Sequence, residues 1–436
     1  MQLHSVSIVG LHDALTLEVE FNEEITLLVG INGSGKTSVL NVIDWLLKPD
    51  LQKLATTVYK RLSLSFTDKN AKYSITATKT DTLVELVLAG TKTTLKPITI
   101  NLLQNIELDD DALNKFYARL SPDKNELPMW KLLKSLTKLT VISLDRTISA
   151  EADDVEYMET PRGYIQRQGR TRSPLAYVAD ITSEKYAEFR SNAIANDSEL
   201  KAQIVFSALQ DPGLALDGQS SFKAMNPEQI SHLENKVVSY LSGTIKAKDI
   251  AEQIHSFFSS SRMLAERTHL AHGQQQLLLD FVSSRYRQIE SLAKAFNDFE
   301  TKNAAAFRTL KEYLDSTNRF LSDSKKELHF DESTGQLVFS FSDSSVRRGV
   351  KRKINHLSSG EKQILILFTF LAFASRSDSV FIVDEPELSL HPKWQHEFME
   401  EFLSLRPQGS QLILATHSPD IVGRFKSSCV TLRCSK

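Results

Sequence analysis

The sequence predicts an α/β fold with a central, mainly parallel sheet, an antiparallel side sheet and a helical insertion. Three observations carry this expectation. Apolar strand-like runs near both ends of the chain, "EITLLVG", "SVFIVDE" and "QLILATH", each open into a turn of chemically distinctive residues. Between residues 57 and 100 lie several short alternating runs, "RLSLSF", "YSITAT", "TLVELVLAG" and "TTLKPITI", which read as an antiparallel meander. From a polar stretch after Ala150 to about Ser322, helical periodicity dominates.

The first residues alternate as strands, in "LTLEVEF" and then "EITLLVG", and the second run enters a glycine-rich turn before the helical pattern "TSVLNVIDWLL". A further apolar strand, "LTVISL", follows a helical segment near Trp130. The stretch "EADDVEYMETPRGYIQRQGRTRSP" is poor in core residues and reads as a loop or linker. Farther on, Val282, Tyr286, Ile289, Ala293 and Phe296, then Phe307, Leu310 and Leu314, keep a three-and-four spacing that Glu300 and Asn303 interrupt. That spacing suits either an amphipathic helix on a helical subdomain or a short two-stranded coil. Strands return in "LHFDESTGQLVFSFSD", a hairpin with Ser333, Thr334 and Gly335 at its turn. The expected organisation is an N-terminal lobe at 1–148, a helical insertion at 149–325 and a C-terminal lobe at 326–436.

With 436 residues, 41% hydrophobic and 24% charged, the chain is globular material. Lys plus Arg (52) nearly balances Asp plus Glu (54), so the net charge of −2 demands no nucleic-acid partner, and only local patches can argue for one. Cys429 and Cys434 fall on opposite faces of a strand and are expected to be reduced. No secretory pattern opens the chain and no apolar run approaches bilayer length, so the expected setting is cytoplasmic, without a membrane partner.

The loop "GINGSGKT", Gly30 to Thr37, fits G-x-x-x-x-G-K-[ST] between a strand and a helix. Its glycines let backbone N–H groups converge on phosphate oxygens at a helix N-terminus. The candidate phosphate-binding residues are Asn32, Gly33, Ser34, Gly35, Lys36, Thr37 and Ser38, with Lys36 directed at the β- and γ-phosphates and the Thr37 hydroxyl at Mg2+. Downstream, "SVFIVDEPELSLHP" ends an apolar strand in two carboxylates: Asp384 is the candidate Mg2+ partner, direct or through its shell, and Glu385 the candidate base or water-positioning residue for attack on a γ-phosphate. "QLILATHSPD" delivers His417 at a third strand end, as a candidate γ-phosphate contact.

Before an apolar helix stands "LSSGE", Leu357 to Glu361, which by itself reads equally as a helix cap with an acidic first turn. In the order "GINGSGKT", "LSSGE", "FIVDEPELSLHP", "LATHSP", however, the motifs resemble the RecF, SMC and OLD-like branch of ABC-type ATPases. The resemblance covers roughly residues 1–148 and 326–436. It implies a P-loop NTPase fold of the ABC-type ATPase head class, with ATP and Mg2+ as cofactors. It also implies that Ser358, Ser359, Gly360 and Glu361 contact ATP held by the phosphate loop of a second subunit, in a homodimer or higher homo-oligomer. Ser389, Leu390 and His391 then occupy the loop that touches the partner head; where His391 stands, related transporters often carry an acidic residue. Gln104, or Asp145 with Arg146, would stand at the family's glutamine loop.

More than 300 residues separate the phosphate loop from the serine box, which disfavours a compact transporter domain, and no coiled coil of SMC length is present. The chain resembles the stand-alone ATPase subunits of prokaryotic anti-phage systems such as Septu, PARIS and ATPase-bearing retrons. That implies ATP hydrolysis controlling a separate effector protein, with a nuclease as the first expectation. A RecF-like DNA-repair clamp is the alternative, carried by basic stretches at Arg162, Arg167, Arg170 and Arg172 and at Arg347, Arg348, Lys351, Arg352 and Lys353, which could equally be solvated faces. An ATP-binding scaffold with negligible turnover is the third reading.

Overall fold

The computed structural model describes residues 1–91, 95–103, 110–136, 139–142, 148–149, 157–160, 163–166, 173–209, 227–244, 252, 254–260, 263, 275–342, 350–374 and 379–432. The chain divides into two compact units, Met1–Tyr186 with Leu310–Lys436, and Ala187–Thr309. These divisions fall inside two long helices, Pro174–Leu209 and Gln275–Leu321. A continuous helix hides such a boundary, because its local pattern does not change where its surroundings do.

Two six-stranded sheets build the first unit. The antiparallel sheet has the order β2-β1-β4-β5-β6-β7, from β1 (Gln2–Leu11), β2 (Leu15–Glu20), β4 (Arg61–Asp68), β5 (Ala71–Lys79), β6 (Leu83–Ala89) and β7 (Ile98–Asn101). Burial alternates along β4 and β6, as expected of a sheet with one face in the core. The second sheet has the order β17-β3-β16-β15-β8-β9, from β3 (Ile25–Val29), β8 (Leu139–Ile142), β9 (Ile148–Ser149), β15 (Val380–Asp384), β16 (Gln411–Thr416) and β17 (Cys429–Thr431). All its pairings are parallel except β8 with β9. Every residue of β15 and β16 is buried, which explains their unbroken apolar runs.

Helix α1 (Lys36–Leu47) buries Val39, Leu40, Val42, Ile43, Leu46 and Leu47. These side chains share one core cluster with Leu3, Val6, Ile8 and Leu62 of the antiparallel sheet and Ile382, Ile413 and Ala415 of the parallel one. The two sheets are also joined by a buried amide. Gln411 accepts at Oε1 from the Leu3 N–H (2.7 Å) and donates from Nε2 to the carbonyls of Leu3 (2.9 Å) and Asn22 (2.8 Å).

Beside them, β12 (Lys326–Phe330), β13 (Leu337–Phe341) and β14 (Arg352–Lys353) form a small antiparallel sheet. Its turn closes through Gly335 in the left-handed region. The end of the helix Gln275–Leu321 packs on the apolar helix Ser359–Thr369: Phe320 meets Phe368 edge-on, and the buried Tyr313 hydroxyl lies 2.9 Å from that of Thr369. Within the stretch expected to be a linker, β10 (Tyr157–Thr160) pairs with β11 (Gly163–Gln166) as a hairpin. The charges around these short β-prone runs concealed them. Cys429 is a free thiol in β17, and Cys434 lies outside the described residues. No helix among the described residues is long and apolar enough to cross a membrane.

The second unit is helical. Leu200, Ile230, Leu233, Val237, Phe258, Ile289 and Phe296 form its core. The two polar interruptions of the periodic pattern have partners here: Asn303 accepts from Asn196 of the helix Pro174–Leu209 (2.8 Å), and Glu300 pairs with Lys236 (2.6 Å) of the helix Pro227–Thr244.

Replacing Gln411 by Leu leaves the buried backbone N–H and carbonyl of Leu3 without this partner and removes the bond to the Asn22 carbonyl. Urea unfolding of Gln411→Leu is expected to show a loss of at least about 2 kcal/mol; an unchanged midpoint would remove the amide from the account.

Candidate nucleotide-binding site

Register assembles the site. Parallel pairing sets Asp384 beside Ala415 and Thr416 beside Val29, so β15, β16 and β3 end at one level. The residues that follow, Glu385, His417 and Gly30, therefore leave the same carboxyl edge of the sheet. A cleft of about 580 Å³ opens there. It is lined by Asn32, Gly33, Gly35, Lys36, Thr37 and Ser38 of the phosphate loop, by Glu385 and His417, and by Leu11, His12, Ala14 and Leu15 at the β1–β2 turn.

The loop has little freedom to be otherwise. Gly35 has φ +92°, and a Cβ there would lie 2.8 Å from a methyl of Leu17 and 2.9 Å from one of Leu15. Lys36 turns back under the loop, where its ammonium donates to the carbonyls of Gly30 (3.1 Å) and Ile31 (3.3 Å) and lies 3.4 Å from His417 Nδ1. Burial pulls the Lys36 pKa below the usual lysine range, while the carboxylates of Glu385, Asp384 and Glu387 oppose that pull.

Asp384 is buried, with a hydrogen bond from Thr37. Its Oδ1 is buried without a protein partner. Burial pushes its pKa up to about 6; the Thr37 bond opposes this and the charge of Glu385 adds to it. Glu385 occupies the left-handed backbone region at φ +48°, which costs a non-glycine residue roughly 1–3 kcal/mol. Its N–H donates to the Ala415 carbonyl (2.9 Å), and its Oε1 lies 3.8 Å from His417 Nε2. The neighbouring strand thus fixes the strained turn.

The expected residues divide in three. Asn32, Gly33, Gly35, Lys36, Thr37, Ser38, Glu385 and His417 line the cleft, with Asp384 bonded to Thr37. Ser34 turns inward, its Oγ buried without a protein partner. Ser358, Ser359, Gly360 and Glu361 are not part of the lining. Ser358 caps the helix Ser359–Thr369: its Oγ accepts from the Glu361 N–H (3.4 Å), and the Glu361 carboxylate accepts from the Ser358 N–H (2.7 Å). That carboxylate also pairs with Lys326 (2.8 Å) and accepts from Ser324 (2.6 Å). Although burial would raise its pKa, these bonds hold Glu361 below the usual range. The Glu361 carboxylate is thus bonded within its own chain, and Ser358 and Ser359 are exposed. Gly360 is required for packing, since a Cβ would come within 2.6 Å of the Ser389 carbonyl oxygen. Gln104, Asp145 and Arg146 lie outside the described residues, as do Arg162, Arg167, Arg170, Arg172, Arg347 and Arg348.

Sequence reasoning passed over Glu387, whose Oε1 accepts from the Thr416 hydroxyl (2.8 Å) and the His417 N–H (2.7 Å). The only signal was a third acidic residue in "DEPE". It also missed the β1–β2 turn as a wall of the cleft, where His12 and Asp13 are both left-handed.

The raised Asp384 pKa has a signed consequence for stability. The native state holds its proton up to about pH 6, whereas an unfolded aspartate loses it near its ordinary value of 3.8, so stability falls across that window and stays reduced above it. Asp384→Asn is expected to stabilise the protein at pH 7.5 by on the order of 2–3 kcal/mol and to have little effect below pH 4. Thermal unfolding at the two pH values checks this; destabilisation at pH 7.5 would contradict it.

The family model described as AAA ATPase domain matches residues 1–422. Over 273 residues the chain is 22% identical to an Escherichia coli protein named "Retron Ec83 probable ATPase", an overlap covering 58% of this chain and 46% of that one. The chain therefore spans about half the length of this curated relative. Among solved structures, it is similar to the Pyrococcus furiosus Smc head domain with an extended coiled coil, bound to the C-terminal domain of ScpA. That match has 13% identity and a TM-score of 0.38, covering 99% of this chain and 94% of the other. With the phosphate loop, the acidic strand end and His417 at one sheet edge, and the family model matching nearly its whole length, the chain belongs to the AAA ATPase domain family.

Proposed function

We propose that the protein binds and hydrolyses ATP with Mg2+, that two copies close head to tail around two nucleotides, and that this cycle controls a separate effector, a nuclease, in defence against phage. One observation carries the reading. Lys36, Thr37, Asp384, Glu385 and His417 gather at one strand edge, while the exposed Ser358 and Ser359 stand outside the cleft of their own chain. A serine box on a capped helix N-terminus, unused by its own site, suits the triphosphate of a second copy.

In this reading the loop N–H groups and Lys36 hold the phosphates, Glu385 takes a proton from the attacking water, and His417 donates to a γ-phosphate oxygen. The orphaned Asp384 oxygen beside the Thr37 hydroxyl fits a hard divalent cation that keeps several waters. Mg2+ held there would neutralise phosphate charge. The lobes at 1–148 and 326–436 form one head, and residues 149–325 serve as an arm or partner-docking lobe. The relative named a retron probable ATPase supports the ATPase part of this reading. Of the basic residues behind the DNA-clamp alternative, Lys351 pairs with Asp331 and Arg352 lies over the Phe341 ring.

Three variants test the reading. Lys36→Ala should abolish measurable nucleotide binding by calorimetry. Glu385→Gln should bind ATP, stall hydrolysis and accumulate dimers in light scattering. Ser358→Arg should bind ATP normally yet neither dimerise nor hydrolyse it. Normal turnover by Glu385→Gln, or full activity of monodisperse Ser358→Arg monomers, would overturn the assignments. Co-purification of a nuclease supports the effector; salt-sensitive binding of duplex DNA in its place supports the clamp.

A further inference from the structure

We infer that Glu387 is a positioning residue for His417, fixing the histidine against the base Glu385 and tying both to the loop that carries Ser389. The inference rests on the ATPase reading above and adds to it a residue that no cleft contact would reveal.

Strand β16 ends at Thr416, and the chain must then turn out of the sheet. At such an end the N–H groups of His417 and Ser418 lose their ladder partners. Glu387 supplies one oxygen to both: its Oε1 accepts from the His417 N–H at 2.7 Å, the Ser418 N–H at 3.2 Å and the Thr416 hydroxyl at 2.8 Å. Three donors on one carboxylate oxygen hold the backbone on either side of His417. The ring is thereby kept between Glu385 Oε1, 3.8 Å from Nε2, and the Lys36 ammonium, 3.4 Å from Nδ1.

Glu387 does not line the cleft, so it acts through another residue. It belongs to the same tight turn as Glu385, closed by the Leu388 N–H on the Glu385 carbonyl (3.1 Å) and the Leu390 N–H on the Glu387 carbonyl (2.9 Å). A second tie reinforces the first. The Ser418 hydroxyl donates to Gln395 Oε1 (2.6 Å), and Gln395 Nε2 donates to the Leu390 carbonyl (3.0 Å). The His417 turn is thus fastened at two points to the segment Glu385–Leu390. On that segment Ser389 abuts Gly360 of the serine box so closely that a Cβ at 360 would come within 2.6 Å of its carbonyl oxygen. A shift of the box displaces the loop, and Glu387 passes that displacement to His417.

The test compares the unaltered protein with Glu387→Ala and Glu387→Gln, using histidine-labelled protein in which the His417 imidazole signals are assigned by His417→Gln. Glu387→Ala should move or broaden the His417 signals. It should also lower kcat by about 10- to 100-fold, with KM for ATP changed less than about twofold. Glu387→Gln keeps an oxygen acceptor and should recover part of both the spectrum and kcat. His417 signals at their original positions in Glu387→Ala, or kcat and KM failing together with a collapsed unfolding temperature in both variants, would overturn the role. If the unaltered protein shows no Lys36-dependent hydrolysis, the ATPase reading fails. The imidazole spectrum of nucleotide-free protein then decides the positioning claim by itself, displaced signals upholding it and unmoved ones refuting it.

Discussion

Unbroken parallel register among β3, β16 and β15 is the constraint on which the site depends. It brings Gly30, more than 300 residues away in the chain, to one edge and one level with Glu385 and His417. Strands buried on both faces lack the apolar-polar alternation that normally penalises a one-residue slip. Here polar ties at the strand ends do that work. At the start of β16, Gln411 bonds to Leu3 and Asn22, and the Leu412 N–H bonds to the Glu24 carbonyl (2.8 Å). At the other end, the Glu385 N–H on the Ala415 carbonyl extends the β15–β16 pairing one residue past the sheet. Fold specification and site geometry therefore rest on the same few hydrogen bonds.

The edge so defined is electrostatically uncomfortable. A buried aspartate with an orphaned oxygen, a desolvated lysine and a glutamate in a strained backbone conformation stand together. Each is disfavoured alone, and each would be relieved by a multiply charged ligand with its counter-ion. Concentrated strain of this kind is common where a protein awaits a ligand. The serine box shows the opposite character. Ser358, Glu361, Ser324 and Lys326 satisfy one another, so the helix Ser359–Thr369 offers a settled N-terminus.

Much of this was legible in the sequence because it depends on local rules. The phosphate loop declares itself by its glycines and Lys36, and the acidic pair by the apolar strand before it. The hairpins of the antiparallel sheet and the turn at Gly335 follow from alternation and turn chemistry. What the sequence withheld depends on distant contacts. Nothing local says that β17 lies beside β3, or that Glu387 belongs to His417. The inward turn of Glu361 shows the limit well: "SSGE" describes a cap and an anion site in the same letters, and only the position of Lys326 shows where the carboxylate goes. The hairpin β10–β11 was hidden by the charge around it.

A structure with Mg2+ and a non-hydrolysable ATP analogue tests the central claim most directly. The account predicts a triphosphate lying along Gly33–Thr37 of one copy, its terminal phosphate near His417, with Ser358 of a second copy within hydrogen-bond reach of that phosphate. A nucleotide bound at this edge with no second copy's Ser358 near it would contradict the composite site, and a nucleotide bound elsewhere would contradict the account as a whole.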